Sequence, residues 1–398
     1  MDKQAAQDQH ILPTYRRRDD VFVSGQGALL RDAAGKEWLD MIGGIAVSAL
    51  GHGHPRLVAA LQSQVAGLLH VSNLYRHPHT SAVASLLAEL TGMAAAFFSN
   101  SGSEANECAL KIARKAQVMR GQPERSSFVA LNGSFHGRTL GALSVTAPEA
   151  YRRPFGPLLE VEFVEPEDLT ALESALAAKP AALILEPIQG EGGLRRLSAS
   201  FLRSARELCD QSGSLLIHDE VQCGAGRSGL FLAGDAARVR PDIVTLAKPL
   251  GAGVPIGATL VSAPLAAILQ PGDHGSTFGG GPLALCAAQV VLDEWKNRGM
   301  DRRVRRMGAY LHRRLDQIVA QSDVATERRG LGLMQGVVVP GRAGAVVDDL
   351  YDRGVLACTA SGDVVRFLPP YVITHDQLEH ATGILEQTLT QTVSTCTP

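Results

Sequence analysis

Lys248 is the residue whose surroundings in the sequence most clearly suggest chemistry. It directly follows the apolar run 243–247 and precedes the glycine-rich segment 249–253. The chain uses arginine elsewhere for positive charge, since it contains 31 arginines and only seven lysines. A desolvated lysine can lose its proton and form a Schiff base, whereas arginine stays protonated. Lys248 is therefore either a nucleophile or a lysine that reaches from a strand end into water.

The segment 98–106 combines a strand end, a turn of small residues and a helix start. Ser101 and Glu104 have capping-box spacing, in which each side chain binds a backbone N–H group of the first helical turn. A Gly/Ser turn at a helix N-terminus also suits phosphate, because its free N–H groups and the helix dipole favour an anion. Ser101, Gly102 and Ser103 are therefore candidate phosphate ligands. The alternative is a helix cap without a ligand.

Three carboxylates lie at or near predicted strand ends. Asp219 ends the apolar run 215–218, Glu186 ends a second apolar run, and Glu191 lies in the glycine-rich loop that follows Glu186. A buried carboxylate is costly unless it meets a cation or hydrogen-bond donors. Each of these acids therefore either faces solvent or belongs to a polar site.

Together, a phosphate-binding turn, a strand-end carboxylate and a reactive lysine describe a site for pyridoxal phosphate. Other chemistries have less support. The sequence has no G-x-S-x-G segment for a serine nucleophile, and its histidines lack the spacing of metal ligands, so we expect no metal. Glu186 and Glu191 could form a carboxylate pair for glycoside hydrolysis, but aromatic residues that bind sugars make up only 5% of the chain.

Short apolar runs that alternate with helical patterns indicate the elements that position these groups. Strands are predicted at 95–98, 127–131, 161–164, 181–185, 214–218, 243–247 and 258–262. Helices are predicted at 103–119, 168–178, 199–211, 283–296, 301–321 and 376–388. Apolar strands separated by helices are typical of an α/β fold with a mostly parallel sheet. Ligands of such sheets bind beyond the carboxyl ends of the strands, where the candidate residues lie.

The pattern changes after this region, which indicates a second domain. The chain of 398 residues is long enough for two domains. We predict a large domain at 55–290 and a small domain built from both termini, with its parts at 1–54 and 291–398. Turn signals within 27–40 indicate a hairpin that packs with the C-terminal part.

Composition argues against several classes of partner. The net charge is −2, from 38 basic and 40 acidic residues, so nothing favours a nucleic acid or a membrane surface. The most apolar stretch, 254–270, is interrupted by proline and glycine, and residues 1–10 are polar, so we expect neither a membrane span nor a signal peptide. Six scattered cysteines without a C-x-x-C pair favour reduced thiols in a cytoplasmic protein.

Further motifs follow one another along almost the whole chain. In order they are 43–52 (GGIAVSALGH), 98–106 (FSNSGSEAN), 134–139 (SFHGRT), 186–193 (EPIQGEGG), 219–222 (DEVQ), Lys248, 275–280 (GSTFGG) and 365–370 (VRFLPP). Their order resembles that of the class III pyridoxal-phosphate-dependent aminotransferases of fold type I, in the acetylornithine and succinylornithine branch. The resemblance implies a large domain with a mostly parallel sheet flanked by helices and a small α+β domain.

The resemblance also implies how the cofactor is held. Lys248 would bind it covalently and then carry a proton between substrate and cofactor, while Asp219 would pair with the ring nitrogen. The other implied contacts are Phe135 and Val221 with the two ring faces, Gln222 with the phenolic oxygen, and Ser101, Gly102 and Ser103 with the phosphate. Thr277 would reach the phosphate bound by the partner subunit, which implies a homodimer with shared sites.

Two arginines match the family's ligands for substrate carboxylates. Arg138 and Arg366 would take this role, which suits a guanidinium because it binds a carboxylate bidentately. Glu191 matches the acid that covers Arg366 while the amine substrate is bound, and Ser276 would lie near the substrate. Glu186 would support the site without acting as an acid or base. The alternative for either arginine is a surface ion pair.

Five positions depart from the family pattern without removing a catalytic role. Gly281 stands where Asn usually precedes the proline of a helix, and the helix should still form because glycine costs only about a few tenths of a kcal/mol at that position. Cys223 and Ser228 stand where threonine is common, and Pro249 stands where alanine is common. His136 occupies an aromatic position that varies, so it is a candidate specificity residue.

The expected activity is transfer of the δ-amino group of N2-acetylornithine to 2-oxoglutarate. The products would be N-acetylglutamate 5-semialdehyde and glutamate, within arginine biosynthesis. Succinylornithine, ornithine, 4-aminobutyrate and a carrier-linked aminoadipate semialdehyde are alternative substrates. A decarboxylase or racemase of the same fold is the alternative from another class. Arg366 with Glu191 argues against it, because the pair suits alternating dicarboxylate and amine substrates.

Overall fold

A computed structural model describes residues 10–394 of the chain. Its strands are β1 Phe22–Gln26, β2 Leu29–Asp32, β3 Glu37–Asp40, β4 Ala95–Ser99, β5 Phe128–Leu131, β6 Val161–Val164, β7 Ala182–Leu185, β8 Ile188–Gln189, β9 Arg195–Arg196, β10 Leu215–Asp219, β11 Ile243–Leu246, β12 Gly257–Val261, β13 Glu327–Leu331, β14 Met334–Val338, β15 Val355–Leu356, β16 Cys358–Ala360 and β17 Val364–Phe367. Its α-helices are α1 Pro55–Ala66, α2 Pro78–Thr91, α3 Gly102–Met119, α4 Leu140–Ser144, α5 Glu149–Arg152, α6 Leu169–Ala177, α7 Ala199–Ser212, α8 Pro282–Asn297, α9 Met300–Gln321, α10 Ala343–Asp352 and α11 His375–Ser394. Short 3-10 turns lie at Arg153–Phe155, Ala233–Ala237, Lys248–Gly251 and Ala263–Leu265.

The seven predicted strands form one sheet, in the order β4-β12-β11-β10-β7-β5-β6. β11, β10, β7, β5 and β6 run parallel, whereas β12 is antiparallel to both of its neighbours, β11 and β4. Every residue of β5, β7, β10, β11 and β12 is buried, which explains why their sequences are mostly apolar. The predicted mostly parallel sheet is confirmed, and each predicted strand end lies within one residue of the observed end.

Helices cover both faces of this sheet. Successive residues of β7 alternate between two apolar clusters, with Ala182 and Ile184 in one and Leu183 and Leu185 in the other. α3 contributes a buried stripe to the first cluster, including Cys108 and Ile112, and α6 and α7 contribute to the second. The sheet therefore has no solvent-facing side at its centre, and its polar groups can meet water or ligands only at strand ends.

Segments from both ends of the chain meet in a second region. β1, β2, β3 and β15 form one sheet, in which Leu39 of β3 pairs in parallel with Val355 of β15. β13, β14, β17 and β16 form another sheet, against which α9 and α10 pack. The predicted hairpin within 27–40 and its packing with the C-terminal part are confirmed. The domain bounds at 55 and 290 stay a prediction.

Several elements were not predicted from the sequence. These include β1, α1, α2, α10 and a left-handed turn at Gly43–Ala46, where every φ lies between 55° and 67°. A side chain at Gly43 would lie 2.8 Å from the carbonyl oxygen of Leu368. Ile45 is strained in this conformation, because a β-branched residue rarely adopts a positive φ. The turn leads to Val47, which lines the cavity described below.

The departure at Gly281 leaves α8 intact, as expected. Gly281 has the extended φ of −62° and ψ of 155° of an N-cap, and Pro282 is the first helical residue. Within residues 10–394, no helix is long and apolar enough to cross a membrane. The five described cysteines are free thiols, and four of them are buried. Cys396 and residues 1–9 lie outside the described residues.

Candidate active site

A cavity of about 310 Å³ lies beyond the carboxyl ends of β7, β10 and β11. It brings together most of the residues selected from the sequence, namely Ser101, Gly102, Ser103, Phe135, Glu186, Glu191, Asp219, Val221, Gln222 and Lys248. Four others, Arg138, Ser276, Thr277 and Arg366, do not line it. The cavity therefore unites the groups predicted to bind the cofactor, while the groups predicted to bind substrate lie around or outside its edge.

Lys248 occupies a strained position at the end of β11. Its φ of 35° is unusual for a residue with a side chain, and it opens the 3-10 turn Lys248–Gly251. Among residues 10–394, Nζ has no hydrogen-bond or ion-pair partner. Burial lowers the pKa of this amine, although Glu191 and Asp219 act in the opposite direction. Lys248 is thus an amine directed into a cavity and easier to deprotonate than an exposed lysine.

Asp219 is the last residue of β10, and its carboxylate accepts hydrogen bonds from several neighbouring groups. Its Oδ2 accepts from Asn106 Nδ2 and lies next to His136 Nδ1, each at 2.7 Å. Its Oδ1 accepts from the Val221 N–H at 2.9 Å and from the Thr245 hydroxyl at 3.5 Å. Thr245 also donates to Asn106 Oδ1 at 2.7 Å, which fixes the amide with Nδ2 towards Asp219. Both oxygens of the carboxylate are therefore held in place by neighbouring groups.

Sequence reasoning missed Asn106 and Thr245 and gave His136 a different role. The His136 side chain is fully buried against Asp219, so the structure gives it a contact with that carboxylate. A role for His136 in specificity stays a prediction. The only sequence signal for Asn106 was a polar residue within the buried stripe of α3. Such residues are placed in the core when they satisfy a specific partner.

The turn before α3 has the geometry expected of an anion site. Ser101 Oγ accepts from the Glu104 N–H at 3.2 Å, whereas Glu104 Oε2 accepts from the Asn100 N–H at 2.6 Å. In the predicted capping box, Glu104 would accept from the Ser101 N–H. It accepts instead from the N–H of the preceding residue, Asn100. Within residues 10–394, the N–H groups of Gly102 and Ser103 have no acceptor. A side chain at Gly102 would lie 2.6 Å from Val221 Cγ1, so glycine keeps this wall of the cavity clear.

Glu186 ties two parts of the cavity wall together. Its two oxygens accept from the N–H groups of Phe135, at 2.9 Å, and Gly190, at 3.0 Å. Burial raises the pKa of this carboxyl group to about 7, with His136 lowering it and Asp219 raising it further. These contacts suit the supporting role expected for Glu186.

Glu191 and Arg366 form an ion pair at the cavity edge. Arg366 Nη1 donates to Glu191 Oε1 at 2.6 Å, and the arginine is only 2% exposed. Burial alone would raise the pKa of Glu191, but the nearby Arg366 outweighs it, so the pKa is lowered. Gln222 contacts both partners, donating to Glu191 at 3.3 Å and accepting from Arg366 at 3.3 Å. Glu191 thus contacts Arg366 as expected, and its role as a cover during binding of the amine substrate stays a prediction.

The remaining predicted substrate ligands lie outside the cavity. Arg138 is exposed, and its guanidinium carbon lies 3.9 Å from the centre of the Tyr151 ring. Tyr151 was not selected from the sequence. Ser276 Oγ accepts from Asn100 Nδ2 at 3.1 Å, and the neighbouring Thr277 is exposed. Neither residue reaches the cavity of its own chain.

Comparison with known proteins decides the family. The model of the class-III aminotransferase family matches residues 14–389. The chain belongs to the class-III aminotransferases. This aminotransferase is accordingly an enzyme with transaminase activity, and it depends on pyridoxal phosphate.

Relatives resemble this aminotransferase over nearly their full lengths. The acetylornithine aminotransferase of Methanopyrus kandleri is 45% identical over 394 residues, which cover 98% of this chain and 99% of the relative. The solved N-acetylornithine aminotransferase from Stenotrophomonas maltophilia has a TM-score of 0.85 and 35% identity, covering 98% of this chain and 100% of that one. The solved ornithine aminotransferase from Toxoplasma gondii has a TM-score of 0.93 and 35% identity, covering 98% and 94%.

The residues of the cavity fit pyridoxal phosphate. Within the described range 10–394, the Lys248 amine and the N–H groups of Gly102 and Ser103 have no partner, and Asp219 is held as an acceptor. Phe135 and Val221 provide apolar walls between these polar groups. An aldehyde, a phosphate and a ring nitrogen each find a matching group in one cavity.

Proposed function

We propose that this aminotransferase moves the δ-amino group of N2-acetylornithine to 2-oxoglutarate, giving N-acetylglutamate 5-semialdehyde and glutamate within arginine biosynthesis. The observation that carries the proposal is the Glu191–Arg366 ion pair, with Nη1 and Oε1 2.6 Å apart at the cavity edge. A covered arginine suits an amine substrate, and an uncovered arginine suits a dicarboxylate. The names of the acetylornithine relatives support the choice of amine.

The residues around the cavity would hold the cofactor at three points. Lys248 supplies the amine that attaches it, and Asp219 pairs with its ring nitrogen. Ser101, Gly102 and Ser103 bind its phosphate at the N-terminus of α3, where the helix dipole favours an anion. Phe135 and Val221 would contact the faces of its ring, and Gln222 would contact its phenolic oxygen.

When bound, pyridoxal phosphate supplies an electron-accepting ring that stabilises the charge left by removal of a substrate proton. Lys248 takes this proton from the substrate carbon and returns it on the cofactor side. Its lowered pKa supports this role, because a larger fraction of the amine is neutral and able to accept a proton. Asp219 would hold a proton on the ring nitrogen, and the contacts with Asn106, His136 and Val221 fix the position of its carboxylate.

Glu191 and Arg366 would select between the two substrates. With the pair closed, the cavity edge carries little net charge, and an amine substrate meets no free cation. With Glu191 displaced, Arg366 binds the α-carboxylate of 2-oxoglutarate or glutamate bidentately. Arg138 would bind a second substrate carboxylate once the partner subunit completes the entrance.

Arg366→Ala should weaken the half-reaction with 2-oxoglutarate far more than the half-reaction with N2-acetylornithine. Loss of hydrogen bonds to a charged group predicts an increase of about 10- to 100-fold in KM for 2-oxoglutarate. Stopped-flow absorbance, with each substrate in turn, measures the two half-reactions separately. Arg240→Ala, which removes an exposed arginine paired with Asp235, is the control and should change neither. Equal loss in both half-reactions for Arg366→Ala would contradict the switch.

A panel of amino donors tests the substrate directly. N2-acetylornithine, N-succinylornithine, ornithine and 4-aminobutyrate are each assayed with 2-oxoglutarate, and kcat/KM is compared. We expect N2-acetylornithine to have the highest value. A preference of about tenfold for another donor, equivalent to about 1.4 kcal/mol, would replace acetylornithine in the proposal.

We also propose a cytoplasmic homodimer in which Ser276 and Thr277 complete the partner subunit's site. The exposure of Thr277 and the absence of both residues from the cavity of their own chain support this arrangement. Sedimentation gives the assembly in solution. Co-expression of Lys248→Ala and Thr277→Ala chains tests sharing, because only a mixed dimer would contain one site without either change.

A further inference from the structure

Arg366 has a contact on the side away from Glu191. Its Nη1 bonds Glu191, the Gly190 carbonyl at 3.2 Å and Gln222 Oε1 at 3.3 Å. Its Nε instead donates to Cys358 Sγ at 3.4 Å. When Glu191 leaves, the contact with Cys358 need not change. Cys358 can therefore hold the guanidinium in both states of the switch.

The position of Cys358 is fixed by the sheet. Cys358 in β16 lies directly opposite Arg366 in the antiparallel strand β17, so both side chains project from the same face. The loop between β8 and β9 supplies Glu191, whereas a cross-strand pair supplies Cys358. The backbone hydrogen bonds between β16 and β17 therefore keep Cys358 next to Arg366.

Cys358 is uncharged, so it can support Arg366 without competing with a substrate carboxylate for the guanidinium. Burial raises the pKa of its thiol, although Arg366 pulls it down, so the thiol is neutral at physiological pH. A neutral sulfur orients the guanidinium and leaves its positive charge available to a carboxylate. An acidic side chain at the same place would act as a second, permanent Glu191.

We propose that Cys358 is a positioning residue for Arg366 and sets how strongly the site prefers dicarboxylates once Glu191 is displaced. The inference rests on the proposed function of Arg366 as the dicarboxylate ligand. It concerns the orientation of one guanidinium and assigns Cys358 no contact with substrate or cofactor.

Binding of glutarate to the holoenzyme tests the proposal without turnover. Glutarate is a dicarboxylate of the same length as 2-oxoglutarate but lacks its reactive ketone, and calorimetry measures its Kd. Cys358→Ala should weaken binding about two- to fivefold, near the lower end of the range for loss of one hydrogen bond, because a neutral thiol is a weak acceptor. Cys358→Ser should stay within about twofold of the parent, because a hydroxyl also accepts from Nε. Cys358→Asp should weaken binding at least about tenfold, because a carboxylate neutralises Arg366.

Kinetics separate positioning from a packing effect. Cys358→Ala should raise KM for 2-oxoglutarate and leave the half-reaction with N2-acetylornithine unchanged. Cys286→Ala removes another buried thiol, in α8, and should change neither substrate.

The proposal is overturned if Cys358→Ala binds glutarate as the parent does, or if serine does not restore what alanine loses. The alanine and serine pair decides the matter even if Cys358→Asp does not fold. Failure of the proposed function has a different signature, because Arg366→Ala would then bind glutarate as tightly as the parent enzyme.

Discussion

Lys248→Ala should retain the fold and bind pyridoxal phosphate, yet lose at least about 10³-fold in turnover. Proton transfer by a positioned side chain contributes about 10²–10⁴-fold, and the substitution also removes the covalent link to the cofactor. The phosphate turn and Asp219 are untouched, so noncovalent binding should survive. Glutamate formation measures kcat, and absorbance of the dialysed protein measures the bound cofactor.

The matched control for this prediction is Lys296→Ala. Lys296 is exposed on α8 and pairs with Glu89, so its loss should change stability by about 1 kcal/mol or less and leave turnover alone. Activity of Lys248→Ala near the parent level would mean that another group moves the substrate proton. Such a result would remove the central residue of the proposed mechanism.

Asp219→Asn should produce the second-largest loss of activity. An anion close to the ring nitrogen raises the pKa of that nitrogen by about 1–3 units, so an amide should cost up to about 10³-fold in turnover. The amide would also turn a donor group towards Asn106, His136 or the Val221 N–H, which all donate to the carboxylate. Single-turnover kinetics and the absorbance of the bound cofactor as a function of pH measure both effects.

Asp242→Asn is the matched control for Asp219→Asn. Asp242 directly precedes β11, so it lies at the opposite end of the strands from Asp219. There it pairs with Arg206 and accepts from the Leu216 N–H. Its replacement should lower stability without changing turnover. If both variants lose activity equally, the effect of Asp219 is one of folding and not of ring protonation.

The sequence predicted the central sheet well because burial on both faces leaves a simple pattern. β7 and β10 read as unbroken apolar runs, and the acids that end them, Glu186 and Asp219, mark the edge where parallel strands place ligands. The helix start at Ser101 was predictable for a similar reason, since capping is a local interaction. Local patterns thus located most of the cavity.

Contacts between distant segments left no comparable pattern. Asn106 and Thr245 support Asp219 from another helix and another strand, and each reads in sequence as an isolated polar residue within an apolar element. The pairing of Cys358 with Arg366 depends on strand register, which a sequence of short strands does not specify. The strained φ of Lys248 likewise follows from its surroundings in the fold and not from the residue type.

The substrate groups show the same limit at the level of assembly. Arg138 matches a family motif, but in the single chain its guanidinium lies over Tyr151 and outside the cavity. Ser276 and Thr277 also lie outside it. The site that these residues are proposed to complete includes a second subunit. Neither the sequence nor the fold of one chain therefore brings them together.

Chemical trapping of the cofactor tests the central claim most directly. The purified enzyme, saturated with pyridoxal phosphate, is reduced with borohydride, digested and mapped by mass spectrometry. We expect the cofactor on the peptide that contains Lys248, and we expect prior incubation with N2-acetylornithine to prevent the labelling. Labelling of a different lysine, or none after cofactor is added, would contradict it.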